Sequence, residues 1–187
     1  MTDVVYDACA LHSGSLRDLL LHTAEVRLVR PHWSNEIHEE WIGSLLRRRP
    51  DVRRESLERT RRRMDARFKN SLTKGYEPLI PALELPDLKD RHVLAVAIHV
   101  KAKYIVTFNL DDFPQDALQP YGIEALSPDE FVGRLIQIDP KRIIQAVKNH
   151  RLSLTRPTKT VDEYLATLEK QGLPRTAAFL REHREEI

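Results

Sequence analysis

Acidic side chains recur in this sequence at the places where an α/β chain turns back over the edge of its sheet. Asp7 ends the apolar run Val4-Val5-Tyr6-Asp7. Glu36, Glu39 and Glu40 fall in the stretch Ser34-Asn35-Glu36-Ile37-His38-Glu39-Glu40-Trp41, and Asp90 opens Asp90-Arg91-His92-Val93-Leu94. Carboxylates held close together repel unless a proton or a cation offsets the charge. Brought to one edge, Asp7, Asp90 and one of the glutamates would suit a hard divalent cation such as Mg²⁺ or Mn²⁺. The chemistry to expect of such a site is metal-assisted hydrolysis of a phosphodiester.

Each of these residues also has a local role open to it. A lone Asp after a strand is commonly a turn or cap residue. At about 100° per residue, Glu36 and Glu40 share one flank of the Ile37/Trp41/Leu45 stripe while Glu39 points away, so periodicity leaves Glu36 and Glu40 both open. Asp87 and Asp90 bracket a helix start as a cap and an N3 acid. Asp90 also lies on the face of Leu94 and Ala97, which implies partial burial. In Thr107-Phe108-Asn109-Leu110-Asp111-Asp112-Phe113-Pro114, Asn109 offers an amide oxygen without charge. Asp112 offers either support behind the first ligands or a turn cap.

Other chemistries find less support. Cys9 is the only cysteine, which excludes an internal disulfide and a cysteine-based zinc site. The eight histidines show no HExxH spacing, and the six glycines form no phosphate loop. No serine nucleophile elbow is present. A receiver-like phosphoacceptor domain fits poorly, because no acidic pair follows the first strand.

The scaffold for these acids reads as alternating strands and helices. Val4–Asp7, Val26–Val29, Leu79-Ile80, Tyr104–Phe108 and Ile123–Leu126 have strand character, with helices over Leu16–Thr23, Ile37–Leu45, Leu57–Leu72 and Asp90–Lys101. That alternation predicts an α/β fold, a parallel sheet of about five strands flanked by helices. From Ser127 the pattern is wholly helical. Ser127-Pro128-Asp129-Glu130 and Thr160-Val161-Asp162-Glu163 both read as capping boxes, and Gly172-Leu173-Pro174 separates the last two helices. Two units follow: residues 1–126 and an all-helical extension, 127–187.

The chain of 187 residues is 41% hydrophobic and 31% charged, the balance of a globular protein with a highly charged surface. It has no apolar run of transmembrane length, and its first strand starts too early for a signal peptide, so no membrane and a cytoplasmic location are expected. Residues 47–74 carry 12 basic and 4 acidic side chains, a local excess of eight positive charges. Such a block suits a polyanion, with Arg53, Arg54, Arg61 and Arg63 as candidate nucleic-acid contacts. The alternative is a solvated helix stabilised by Glu55–Arg59 and Glu58–Arg62 pairs.

In order and spacing, four of these stretches resemble the PIN-domain family, the nuclease fold of VapC-type toxins. Val4 to Leu11 is similar to the opening strand with its metal-binding Asp7. Ser34 to Glu40 resembles the Ser-initiated helix whose acid comes six residues later, which selects Glu40. Asp87 to Leu94 looks like the third motif, carrying Asp90, and Thr107 to Phe113 like the fourth. Many relatives have Asp-Thr-Asn where this chain has Asp7-Ala8-Cys9, and Asn109 stands in place of a fourth acid. The resemblance implies an endoribonuclease in which Asp7, Glu40 and Asp90 hold Mg²⁺ or Mn²⁺, with Asn109 and Asp112 completing the catalytic set. It also implies an RNA substrate, a cognate protein antitoxin and a homodimer. A rival implication is a catalytically weakened PIN scaffold that binds RNA or a protein partner. Residues 127–187 resemble the carboxyl-terminal extension of a subset of these toxins.

Overall fold

The computed structural model describes residues 1–187. In chain order, β1 (Thr2–Tyr6) leads into the short α1 (Ala8–Leu11) and α2 (Gly14–Glu25). Then come β2 (Val29–His32), α3 (Asn35–Arg48) and α4 (Arg54–Arg67). A 3-10 turn over Glu77–Ala82 and a second over Leu88–Asp90 precede α5 (Arg91–His99), β3 (Tyr104–Val106), α6 (Gln115–Leu118) and β4 (Glu124–Leu126). The chain closes with α7 (Pro128–Ile138), α8 (Pro140–Ser153), α9 (Val161–Lys170) and α10 (Pro174–Glu182).

The sheet is wholly parallel, with four strands in the order β2-β1-β3-β4. Val4, Val5 and Tyr6 on the central β1 have no solvent exposure. Successive residues point to opposite faces, so both faces of the sheet are covered. Tyr6 donates its hydroxyl to the Leu20 carbonyl of α2 at 3.2 Å. Phe131 of α7 meets the edges of both Tyr6 and Tyr104. The extension therefore shares the core of the sheet: α7 packs on β4 and α8 packs on α2. No helix is long and apolar enough to cross a membrane.

Four strands form where the sequence pattern suggested about five. Leu79-Ile80 falls in the Glu77–Ala82 3-10 turn instead of a strand. Pro78 and Pro81 on either side remove two N–H donors that a strand ladder needs. The second strand is also displaced, from Val26–Val29 to Val29–His32. The helix before it persists to Glu25, and the chain then reverses through Arg27 at φ 61°. Pro31 sits inside β2 without breaking it, because β2 is an edge strand. Helix α4 stops at Arg67; Leu72 lies beyond it and bridges to Trp33.

The ion pairs of α4 also differ from the expected Glu55–Arg59 and Glu58–Arg62. Glu39 on α3 faces α4 and takes Arg61 at 2.8 Å and Arg54 at 3.2 Å. Glu58 pairs with Arg54 at 3.3 Å and Arg61 at 3.7 Å. Arg54 and Arg61 are seven residues apart, on one face of the helix, so two acids from two helices reach both.

Candidate active site

Strand order reverses between β1 and β3, and the crevice beyond the carboxyl ends of those strands is where an open parallel sheet binds ligands. Asp7 leaves β1 at that point, its N–H bonded to the Val106 carbonyl at 3.1 Å. Thr107 leaves β3 beside it. A cavity of about 530 Å³ opens there, lined by Asp7, Glu40, Asp90 and Asn109, with Arg47, Arg48 and Phe108 on its other walls.

Each acid reaches the cavity for a local reason. Asp7 is buried and caps α1 by accepting the Ala8 N–H at 2.6 Å. Its other oxygen accepts the Thr107 hydroxyl at 2.7 Å and the Cys9 thiol at 3.0 Å. Burial first, then the Asp7 charge, pushes the Cys9 thiol up to about 12, so it stays protonated and donates. Asp7 is thus both a cap and a fixed wall of the cavity.

Glu40 is carried by α3, which starts where Ser34 accepts the Ile37 N–H at 3.1 Å. Its carboxylate is held by His92 Nε2 at 2.9 Å. Burial works to lower the His92 pKa, but the hydrogen bond and charge of Glu40, with Glu36 behind, overcome it and leave it raised. Of the other two glutamates of this helix, Glu36 stands 3.5 Å from His92 Nδ1, and neither lines the cavity. Glu36 accepts the Tyr76 hydroxyl at 3.1 Å, and Glu39 is taken by α4.

Asp90 is half-buried at the head of α5 and makes no capping hydrogen bond. Burial, then the charges of Asp7, Asp112, Asp87 and Glu40, raise its carboxyl to about 6. Asp87 is a cap, accepting the Lys89 N–H at 2.9 Å. Asn109 lines the cavity, and its N–H is fixed by Thr107 Oγ1 at 3.0 Å. Asp112 lies outside the lining and acts on Asp90 through its charge.

As the side chains stand, the acids ring the cavity without converging: no three His, Cys, Asp or Glu groups are tight enough to grip one ion. Glu40 is drawn toward His92, and Asp7 toward Thr107 and Cys9. The donor set is nonetheless that of a hard cation, with four carboxylates (Asp7, Glu40, Asp87 and Asp90) and one amide oxygen on the same cavity. The elevation of Asp90 reflects its burial first and then the negative charge gathered around it.

Of the four arginines singled out by charge clustering, none lines this cavity. Arg54 and Arg61 are engaged by Glu39, Arg53 is exposed at the start of α4, and Arg63 borders a separate groove between α2 and α4. The cationic wall is Arg47 and Arg48 with Lys89. A signal for Arg47 was available: Glu40, Ser44 and Arg47 lie at i, i+4 and i+7, one face of one helix. His92 had no such signal, because its partner Glu40 lies on another element.

Residues 2–111 match the PIN domain family, and residues 128–182 match the VapC50 C-terminal domain. A Mycobacterium tuberculosis protein named "Putative ribonuclease VapC50" is 54% identical over 65 residues, which is 35% of this chain and 37% of that protein. The matched segment thus spans little more than a third of that relative. No solved structure matches the chain significantly.

Proposed function

The chain belongs to the PIN-domain family, and from that premise we propose that it is a metal-dependent endoribonuclease, the toxin of a toxin–antitoxin pair. PIN-domain nucleases generally use divalent metal ions. The observation that carries the reading is the cavity at the strand-order reversal, where Asp7, Glu40 and Asp90 gather and Asp90 is raised to about 6.

In this reading Asp7, Glu40 and Asp90 hold Mg²⁺ or Mn²⁺, Asn109 offers a neutral oxygen beside them, and Asp112 adds charge from behind. Such an ion, when bound, would supply a water of lowered pKa and stabilisation of charge on the phosphate oxygens. Thr107, Cys9 and the Ala8 N–H fix the orientation of Asp7, and His92 does the same for Glu40. Arg47, Arg48 and Lys89 bind the flanking phosphates of the RNA. Arg53 and Arg63 extend that basic surface, while Arg54 and Arg61 are largely neutralised. Residues 1–126 form the nuclease unit and residues 127–187 the helical extension.

The match to a VapC50 C-terminal domain supports the toxin assignment. A free ribonuclease harms its own cell, so a cognate antitoxin follows, one that places a basic side chain among the acids. The protein acts in the cytoplasm as a homodimer. Asn109, which brings no charge where relatives carry an acid, favours a second reading: a scaffold that binds RNA or a protein partner without turnover.

A cleavage assay on single-stranded RNA decides between them. The expected result is cleavage that stops with chelator, returns with Mg²⁺ or Mn²⁺, and is absent in Asp90→Asn. Undiminished cleavage in excess chelator removes the metal reading; binding without cleavage under all metal conditions selects the scaffold.

A further inference from the structure

The loop after β3 carries two phenylalanines with opposite fates. Phe113 is 2% exposed and anchors the loop in the core, whereas Phe108 is 45% exposed and lines the acidic cavity. A single half-open aromatic ring is ordinary on a protein surface; what sets Phe108 apart is that it lines the acidic cavity and is fixed there. Its backbone is fastened to the atoms that fix Asp7. The Phe108 N–H donates to Cys9 Sγ at 3.1 Å, and the next N–H, of Asn109, donates to Thr107 Oγ1 at 3.0 Å. The ring is also backed from the extension. At the α9–α10 turn Gly172 adopts φ +83°, and a β-carbon there would stand 3.4 Å from Phe108 Cε1. Phe108 is thus held from two sides with part of its surface free.

We propose that Phe108 is a base-stacking platform, a positioning residue on whose ring one nucleobase of the bound RNA lies. The inference rests on the nuclease reading and adds to it a residue that positions the substrate. Arg47, Arg48 and Lys89 line the same cavity and match the phosphates on either side of the stacked base. The cavity, about 530 Å³, falls in the range of about 300–1,000 Å³ that encloses small ligands. A duplex keeps its bases stacked on one another and offers this ring nothing, whereas a single strand has every base face available. The extension then has a role in the site, because the Gly172 turn supports the platform.

The test uses the full chain carrying Asp90→Asn, so that RNA is bound but not cut. Single-stranded oligoribonucleotides carry 2-aminopurine at each position in turn, and matching duplexes serve as comparison. Stacking of one base on Phe108 should quench 2-aminopurine at a defined position. Phe108→Leu keeps an apolar contact for Gly172 but removes the aromatic face. It should weaken single-strand binding by about 5- to 150-fold and abolish the quenching. Phe108→Trp should restore both, and duplex affinity should be the same in all three proteins. Unchanged binding and quenching in Phe108→Leu, with single-strand binding by the parent intact, overturns the stacking proposal alone. A parent that binds neither strand overturns the nuclease reading and the proposal together. Urea midpoints of the variants check that the fold is retained.

Discussion

Asp90 and Asp129 are both carboxylates drawn in from solvent near a helix start, and the chain treats them in opposite ways. Asp129, on α7, accepts the Thr176 N–H at 2.9 Å, the Thr176 hydroxyl at 2.7 Å and the Arg175 N–H at 3.0 Å. It thereby caps α10, whose own N-cap, Leu173, has no side-chain oxygen to offer. Asp90 stands at the head of α5 and makes no capping bond, surrounded by other acids. A buried carboxylate whose charge is met by N–H donors ties the fold together. One whose charge is left unmet costs stability and retains the capacity to take a cation. The extension shows the first arrangement and the strand-order reversal shows the second.

The most direct challenge to this contrast is to neutralise each acid in turn. Asp90→Asn keeps the volume and removes the charge; RNA cleavage should fall by roughly a thousandfold, at the upper end of the 10²–10³ typical when charge stabilisation is removed. The urea midpoint should not fall. A cleavage rate within threefold of the parent would place Asp90 outside the chemistry.

Asp129→Ala should do the reverse. It strands two N–H groups and a hydroxyl at the α10 start, at a cost of about 1–3 kcal/mol for each buried unsatisfied group, partly relieved by water. A net loss of about 2–3 kcal/mol in urea unfolding is expected, with cleavage per folded molecule nearly unchanged. An equal loss of specific activity would show that the extension does more at the site than support Phe108.

A pH series probes the same contrast from the side of the proton. The Asp90 carboxyl lies near 3.8 when unfolded and about 6 when folded. The folded state therefore binds the extra proton between those values. Its stabilising contribution is full below pH 4 and is lost as pH rises through 6. In chelator at pH 7.5, Asp90→Asn should be more stable than the parent, by about 1 kcal/mol once solvent screening of a half-exposed group is allowed for. The advantage should vanish near pH 4. Added Mn²⁺ should stabilise the parent at pH 7.5 and lose that effect below pH 6, where Asp90 keeps its proton. Parent and variant with identical pH profiles would mean that neither burial nor the surrounding acids raise the Asp90 carboxyl.

How much of this was legible depends on the range of the interaction. The capping boxes at Ser127 and Thr160 and the break at Gly172 are local patterns, and the chain folds as they read. Asp7, Asp90 and Asn109 could be picked out because strand ends and helix starts are themselves local, whereas periodicity left Glu36 and Glu40 both open and only the family resemblance selected Glu40. The missing strand was hidden by Leu79-Ile80, an apolar pair whose strand character masked the effect of its flanking prolines. Interactions between distant segments left no trace. His92 on Glu40, Thr107 on Asp7, and Glu39 on Arg54 and Arg61 each join residues from separate elements. Composition marked residues 47–74 as basic, but only packing separates the arginines that are neutralised from those that are free.

That separation extends the contrast from acids to cations and gives the smallest expected effect. Arg54 and Arg61 are met by Glu39 and Glu58, as Asp129 is met by its donors. Arg47 and Arg48 line the cavity and lie in none of the chain's ion pairs, as Asp90 lies in none of its caps. Removing one cation from a single-strand phosphate should lower the slope of log affinity against log salt by about 0.7. Replacing Arg47 and Arg48 with Gln should therefore flatten the slope by about 1.4. Arg53 and Arg63, free but away from the cavity, should give less. The Arg54 and Arg61 pair should give least, because each already spends its charge on an acid. Stability should change by only about 0.5 kcal/mol per exposed site, which keeps the comparison one of binding. A larger slope change from Arg54 and Arg61 than from Arg47 and Arg48 would mean that RNA runs along α4 and displaces Glu39, so that a paired charge is no less available than a free one.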